Sequence, residues 1–328
     1  MISIKYLIRR TINAFVTYVV ALILIFAIPR LIPGNPQDVM ASSYRLPGEV
    51  ANELSRRFGL DQPMSIQFYK YITNVVLKFP PDFGFSYIYY PLPVWDVVIT
   101  YLPWTIFLLA FSAVLTAALG LVLGVLSAWK RGSKIETLIS SVSMFFLSTP
   151  YFWIAMNLIM IFGVYLPIFP VAGAFSSDVY ETPFSIEYIC DVLMHAILPA
   201  LSLVMSSFAR YTLIMRDNMV STLSEDYILT ARAKGVKERT IIFRHAARNA
   251  MLPVLTLFIL QLGTILGGAI VTEAVFSYPG VGSLLFNSIL NQDYPVIQGF
   301  FYIITLTVII ANYIADLLYV FVDPRVRY

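Results

Sequence analysis

The stretch Val97–Trp129, VVITYLPWTIFLLAFSAVLTAALGLVLGVLSAW, contains no Asp, Glu, Lys or Arg. A helix that crosses the hydrocarbon core of a bilayer needs about 20 mostly apolar residues. This stretch therefore reads as a membrane-spanning helix, and it has company. Seven windows of at least 18 residues lack those four residue types: Thr11–Pro29, Val97–Trp129, Thr137–Ser177, Val192–Ala209, Asn249–Thr272, Ala274–Gln292 and Tyr294–Ala315. The sixth carries Ser277, Tyr278, Pro279, Gly280, Gly282, Asn287 and Asn291, which is turn and polar chemistry, so it reads as a connection or re-entrant piece. The third is too long for one helix, and Pro167 and Pro170 end it near Leu166. Six spans remain.

Composition agrees. The chain is 59% hydrophobic and 12% charged with a mean hydropathy of +0.77, whereas soluble domains carry about 25% charged residues. So few ionised groups cannot cover a water-facing surface, and so much apolar surface excludes disorder. The lone Cys190 excludes an internal disulfide and a multi-cysteine metal cluster. Of the two histidines, His195 lies near Cys190 and Asp191 and is read as an interfacial histidine, so no metal site is expected. A net charge of +3 is too weak for nucleic-acid binding.

The first apolar run follows Lys5, Arg9 and Arg10, is longer than a signal peptide's, and lacks a small-x-small cleavage site, so it is expected to be retained. Basic residues cluster on one side of the six spans: Lys5, Arg9 and Arg10; Lys130, Arg131 and Lys134; a run of eight from Arg210 to Arg248; and Arg325 and Arg327. On the other side they occur in one long loop alone. The positive-inside rule then puts both termini in the cytoplasm of a multi-pass cell-membrane protein. The expected organisation is 1–29 (N-terminus and first span), 30–96 (extracytoplasmic subdomain), spans at 97–129, 137–166 and 192–213, a cytoplasmic loop at 216–250, a fifth span at 251–272, an outer connection at 273–293, a sixth span at 294–320 and a cytoplasmic tail at 321–328.

Two polar segments are longer than a connection requires. The outer one, Arg30–Asp96, is rich in Pro, Gly and Tyr and has apolar positions at Leu54, Phe58, Ile66, Phe68 and Ile72. It predicts a small folded cap, or a docking surface. In the inner one, Ser224 is a good N-cap, Glu225 and Asp226 occupy a first turn and Gly235 is a stop. This predicts a short helix along the membrane surface, either a solvated basic loop or a coupling element for a cytoplasmic partner.

The residues of that inner loop carry a resemblance. Tyr227-Ile228-Leu229-Thr230-Ala231-Arg232-Ala233-Lys234-Gly235-Val236, then His245-Ala246-Ala247-Arg248-Asn249-Ala250-Met251-Leu252-Pro253, resembles the signature loop of ABC importer permeases. It is most similar to the dipeptide/oligopeptide/nickel permease family, in the branch of the first of its two permeases. Leu31-Ile32-Pro33-Gly34-Asn35-Pro36, Phe58-Gly59-Leu60-Asp61-Gln62-Pro63, Asp82-Phe83-Gly84-Phe85-Ser86, Glu273-Ala274-Val275-Phe276-Ser277-Tyr278-Pro279-Gly280-Val281-Gly282, Asp293-Tyr294-Pro295-Val296 and the closing Asp323-Pro324-Arg325 follow in order along nearly the whole chain. The general signature begins with Glu-Ala-Ala. Here Leu229-Thr230-Ala231 stands in its place, so the role of that acid is not transferred.

The resemblance implies an all-α polytopic protein of the type I importer permease fold. It implies a second homologous permease subunit, two ATPase subunits that hold ATP and Mg, and an extracytoplasmic substrate-binding protein. The chain has no Gly-x-x-x-x-Gly-Lys-Ser/Thr loop, so ATP is expected to be hydrolysed elsewhere, with no cofactor and no catalytic residue in this chain. Coupling to the ATPases is assigned to Glu225, Asp226, Tyr227, Ile228, Ala231, Arg232, Lys234 and Gly235, with Tyr227, Ile228 and Ala231 as an apolar plug and Arg232 and Lys234 pairing with partner acids. The pathway is expected between the third, fourth and fifth spans, with Ser148, Thr149, Ser202, Ser206, Gly263 and Gly267 as candidates, although close helix packing explains small residues equally well. Pro150 is expected to kink the third span. The expected solute is a di- or oligopeptide. Oligosaccharides or nickel on the same machinery, and an ATP-independent transporter or channel, are the alternatives. An intramembrane enzyme lacks the paired aspartates or His-Glu-x-x-His it would need.

Overall fold

Among the described residues most of the apolar windows are largely helical, and several helices run past their apolar limits. The computed structural model describes residues 4–31, 49, 62–179, 185–263 and 269–322. In chain order its principal helices are α1 (Ile4–Leu31), α2 (Met64–Val76), α3 (Val94–Trp129), α4 (Lys134–Ser148), α5 (Tyr151–Leu158), α6 (Ile186–Leu223), α7 (Asp226–Ala233), α8 (Leu252–Gly263), α9 (Ile270–Val275), α10 (Val281–Leu290) and α11 (Tyr294–Val322). A π-helical turn, Ile159–Tyr165, extends α5, and a helical run, Glu238–Thr240, Ile241–Ala246 and Ala247–Ala250, leads into α8. No strand occurs among the described residues. Leu54, Phe58, Gly267 and the tail from Asp323 lie outside them.

Three helical segments are long and apolar enough to cross a membrane: Ile8–Leu31, α3 and α6. A helix of 36 residues such as α3 is about 54 Å long at about 1.5 Å per residue, so it overshoots a hydrocarbon core of about 30 Å. Large apolar side chains along α1, such as Phe15 at 65% exposure, face outward. Such a surface suits lipid rather than water.

The third span differs from expectation. It is two helices, α4 and α5 with its π turn, bent by 101°, where a kink in one helix was expected. Pro150 has no N–H to continue α4 and drives Thr149 into extended backbone (φ −89°, ψ 128°). Hydroxyls at the break bond back to the helix: Ser148 Oγ donates to Met144 O at 2.9 Å and Thr149 Oγ1 to Phe145 O at 2.7 Å.

The helices form two compact units. The first contains α1, α2, the start of α3, α10 and α11. Its core joins Leu22, Ile25 and Phe26 of α1, Tyr71 and Val75 of α2, Val94 and Val97 of α3, Leu284 of α10 and Phe300 of α11. Of the apolar positions expected to fold the outer segment, Phe68 and Ile72 pack on this core, and Ile66 is exposed. The second unit contains the rest of α3 and α4 to α9. Its core joins Val125 and Ala128 of α3 to Tyr211, Met215 and Met219 of α6, Ile228 of α7 and Ile241, Ile242, Ala246 and Ala250 of the run before α8.

Candidate coupling surface and solute pathway

The inner loop begins where α6 ends. Expectation placed Ser224 as the N-cap of the next helix. The structure makes Ser224 the C-cap of α6 and Glu225 the N-cap of α7. The reason is the length of α6, which continues 14 residues past its apolar window to Leu223. Its last turn leaves carbonyls without partners, and the Ser224 hydroxyl donates to one of them, Ser221 O, at 2.6 Å. Asp226 in the first turn of α7 and Arg232 in the last complement the helix dipole.

The C-terminus of α7 is a Schellman turn. Gly235 N–H donates to Arg232 O at 2.9 Å, and Val236 N–H to Ala231 O at 3.2 Å. Gly235 sits at φ +72°, where a Cβ is unfavourable. A Cβ there would touch nothing within 4 Å, so the requirement for glycine is one of backbone conformation alone.

The expected apolar plug is corrected. Ile228 is fully buried in the core of its own unit and Ala231 packs against the same core. These two side chains seat α7 on the bundle and do not face a partner. Tyr227 and Leu229 are the apolar side chains turned outward, at 39% and 52% exposure. The Tyr227 hydroxyl accepts a hydrogen bond from Asn249 Nδ2 at 2.8 Å, which ties α7 to the run before α8. Arg232 is already paired within the chain, Nη2 to Glu238 Oε1 at 2.8 Å. Glu225, Asp226, Lys234 and Gly235 are exposed.

Of the expected pathway residues, Ser206 lines a cavity in the second unit. Ser206, Ser207, Arg210 and Tyr211 of α6, Leu147 of α4, and Leu257 and Gln261 of α8 line a cavity of about 410 Å³. Tyr211 donates to Gln261 Oε1 across it. Ser206 Oγ bonds to Leu203 O at 2.8 Å and is half-buried at the cavity wall. Ser202 is corrected: it is fully buried and donates to Pro199 O at 2.7 Å, so it faces no passage. Ser148 and Thr149 mark the sharp bend, Gly263 is the last described residue of α8, and Gly267 lies outside the described residues. His195 meets Asp191 through its backbone carbonyl at 2.9 Å, while the Asp191 carboxylate accepts from Ser176 N and Oγ at 2.6 and 2.9 Å. That is a structural tie. Among the described residues no three His, Cys, Asp or Glu side chains converge as metal ligands.

One buried acid was missed by sequence reasoning. Asp293, fully buried before α11, accepts from Ser86 Oγ at 2.5 Å, Tyr87 N at 3.0 Å and Ile88 N at 3.1 Å. The signal was available: Asp293 and Ser86 each belong to a segment quoted above for the resemblance. Their pairing was not, because it joins residues 207 positions apart.

Comparison with known proteins fits this architecture. Residues 120–328 match the family described as binding-protein-dependent transport system inner membrane component, and residues 3–109 match the N-terminal part of such membrane components. The chain is 37% identical over 323 residues to the oligopeptide transport system permease protein AppB of Bacillus subtilis, covering 98% of this chain and 99% of the relative. It is 36% identical to the dipeptide transport system permease protein DppB of Escherichia coli K12, covering 99% of each. It is equally similar, at 36% over 99% of each, to the glutathione transport system permease protein GsiC of the same organism.

Proposed function

Because the chain belongs to the family of binding-protein-dependent transport system inner membrane components, we propose that it is the permease subunit of an ATP-driven importer of di- and oligopeptides. The fold is the all-helical, polytopic fold of type I importer permeases, and the protein is a non-catalytic membrane component of a multi-part transport system. In this reading a second, homologous permease completes the pathway. Two ATPase subunits bind ATP and Mg on the cytoplasmic side, where both termini of this chain also lie. An extracytoplasmic binding protein delivers the peptide. Alternating access moves the solute inward.

The observation that carries the reading is the seating of α7. Ile228 anchors the helix in the core, while Tyr227 and Leu229 stay exposed beside it. A short helix held rigidly on one side and apolar on the other transmits the motion of a docked partner to the bundle. Glu225, Asp226, Lys234 and Gly235 border this contact. Arg232 holds its shape through Glu238.

The test is copurification and transport. The tagged chain is expected to bring down a second permease and two ATPases from its native membrane. Peptide uptake by proteoliposomes carrying that complex and the binding protein is expected to require ATP. Uptake that persists without the ATPases would overturn the reading in favour of an ATP-independent transporter. ATP-dependent uptake of oligosaccharide or nickel, with none of peptide, would overturn the substrate class.

A further inference from the structure

Arg210 stands on α6 at the wall of the cavity of about 410 Å³. It directly follows the apolar window Val192–Ala209. Six residues later Arg216 pairs with Glu136, which lies just before the apolar window that opens at Thr137. Arg210 lies about 9 Å from Arg216 along α6, on the side of the apolar window, at about 1.5 Å per residue.

The two arginines differ in company. Arg216 has two acids, Glu136 and Asp217. Arg210 has no hydrogen-bond or ion-pair partner among the described residues. No acid lines the cavity: its other polar groups are the neutral side chains of Ser206, Ser207, Tyr211 and Gln261. Ser206 and Ser207 stand four and three residues before Arg210, on the same face of α6. A cationic charge among neutral donors selects an anion. Arg210 is exposed at the edge of the apolar window, so its charge is accessible to a solute in the cavity. The volume falls within the range of about 300–1,000 Å³ typical of small-ligand sites.

We propose that Arg210 is a specificity-determining residue of the pathway, holding the C-terminal carboxylate of the transported peptide. This rests on the peptide-importer reading above. A guanidinium offers a planar pair of donors that matches a carboxylate, whereas a peptide amide has no charge to offer in return.

The test measures equilibrium binding to the intact complex in nanodiscs, without the extracytoplasmic binding protein. The probes are radiolabelled dialanine and dialanine amide. The wild-type complex is expected to bind the acid roughly tenfold more tightly than the amide, as loss of one charge-assisted hydrogen bond implies. Arg210→Gln is expected to erase that preference by weakening the acid alone, and Arg210→Lys to restore part of it. Size-exclusion chromatography of both variants checks that the complex still assembles. If Arg210 serves only as a basic anchor reaching toward lipid headgroups, the variants alter abundance and leave the acid-to-amide ratio at its wild-type value, which overturns the proposal. Binding of acid and amide weakened equally by Arg210→Gln overturns it too. A wild-type complex that transports no peptide in any form removes the peptide reading itself. A complex that transports peptide without discriminating acid from amide removes only the role of Arg210.

Discussion

Asp293 accepts a hydrogen bond from Ser86 Oγ at 2.5 Å, across 207 positions of sequence. The same carboxylate oxygen takes the N–H groups of Tyr87 and Ile88, and the other oxygen takes Val296 N–H at 3.4 Å. The segment before α3 is thereby fastened to the start of α11. Burial pushes the Asp293 carboxyl above the usual carboxylate range, against the opposing pull of its four hydrogen bonds. What the site gains from Asp293 is an acceptor shared by four donors, more than a charge.

Asp293→Ala removes that acceptor and leaves buried N–H groups without their partner, a loss of about 1–3 kcal/mol. Asp293→Asn keeps one acceptor oxygen and is expected to cost less. Thermal unfolding followed by intrinsic fluorescence, in detergent or nanodiscs, should rank the wild type above Asn and Asn above Ala. An Ala variant as stable as the wild type would show that the fastening carries no weight.

Gly120 and Gly124 lie where α3 crosses α6. A Cβ at 120 would fall 2.3 Å from Tyr211 Cβ, and one at 124 would fall 2.5 Å from Met215 Cβ and 2.8 Å from Thr212 O. Both distances are shorter than real carbon contacts, so alanine at either site forces the helices apart at a cost of about 1–3 kcal/mol. The two sites share one groove, so the double variant is expected to lose less than the sum of the singles, because the first separation already makes room for the second. Unfolding midpoints of the three variants check both the cost and the shortfall.

This Gly-x-x-x-Gly spacing was present in the sequence, and it is the signature of close helix approach in membranes. What the sequence alone does not reveal is the partner helix. The long spans Ile8–Leu31, α3 and α6 were legible because a bilayer excludes charge, and charge-free windows are visible by eye. Helix ends were less so. Backbone hydrogen bonding continues into the aqueous layer, so α6 runs through Arg216, Asp217 and Asn218 to Leu223 and takes Ser224 as its own cap. Pro150 announced a break, but not one of 101°, since bend size depends on what each half packs against. For α7 the helical period puts Tyr227, Ile228 and Ala231 on one face, but Ile228 and Ala231 pack inward while Tyr227 is exposed. Which face turns inward is decided by Met219, Ile241 and Ala246, and Ile228 accordingly faces its own bundle.

Glu136 gives a pH dependence. A hydrogen bond from Gly132 N–H and the ion pair with Arg216 hold its carboxyl below the ordinary glutamate value, which is about 4.3. The folded state thus favours the ionised form. Its stabilisation is full above the ordinary value and is lost as pH falls through the depressed one. Glu136→Gln lacks this increment. The gap in unfolding midpoint between wild type and Glu136→Gln is expected to be constant from pH 7 to about pH 5 and to shrink below about pH 4. A gap that widens on acidification would reverse the sign and contradict the pairing.

The exposed face of α7 separates coupling from folding. Ile228 is buried and Leu229 is 52% exposed, so adjacent substitutions have opposite signatures. Ile228→Ala opens a cavity in the core and is expected to cost about 2–5 kcal/mol, with loss of assembled complex. Leu229→Asp alters only outward surface, so the chain is expected to insert and fold normally, while peptide uptake falls and ATP hydrolysis no longer responds to the loaded binding protein. Tyr227→Asp should do the same, with some added loss from its contact with Asn249. Gly235→Pro removes the N–H that bonds to Arg232 O and forbids φ +72°, so it is expected to uncouple by reshaping the end of α7, whereas Gly235→Asn, which tolerates that conformation, should retain most uptake. The decisive measurements are peptide uptake and peptide-stimulated ATP hydrolysis per assembled complex. Full coupling by Leu229→Asp and Gly235→Pro together would place the contact elsewhere on the inner face.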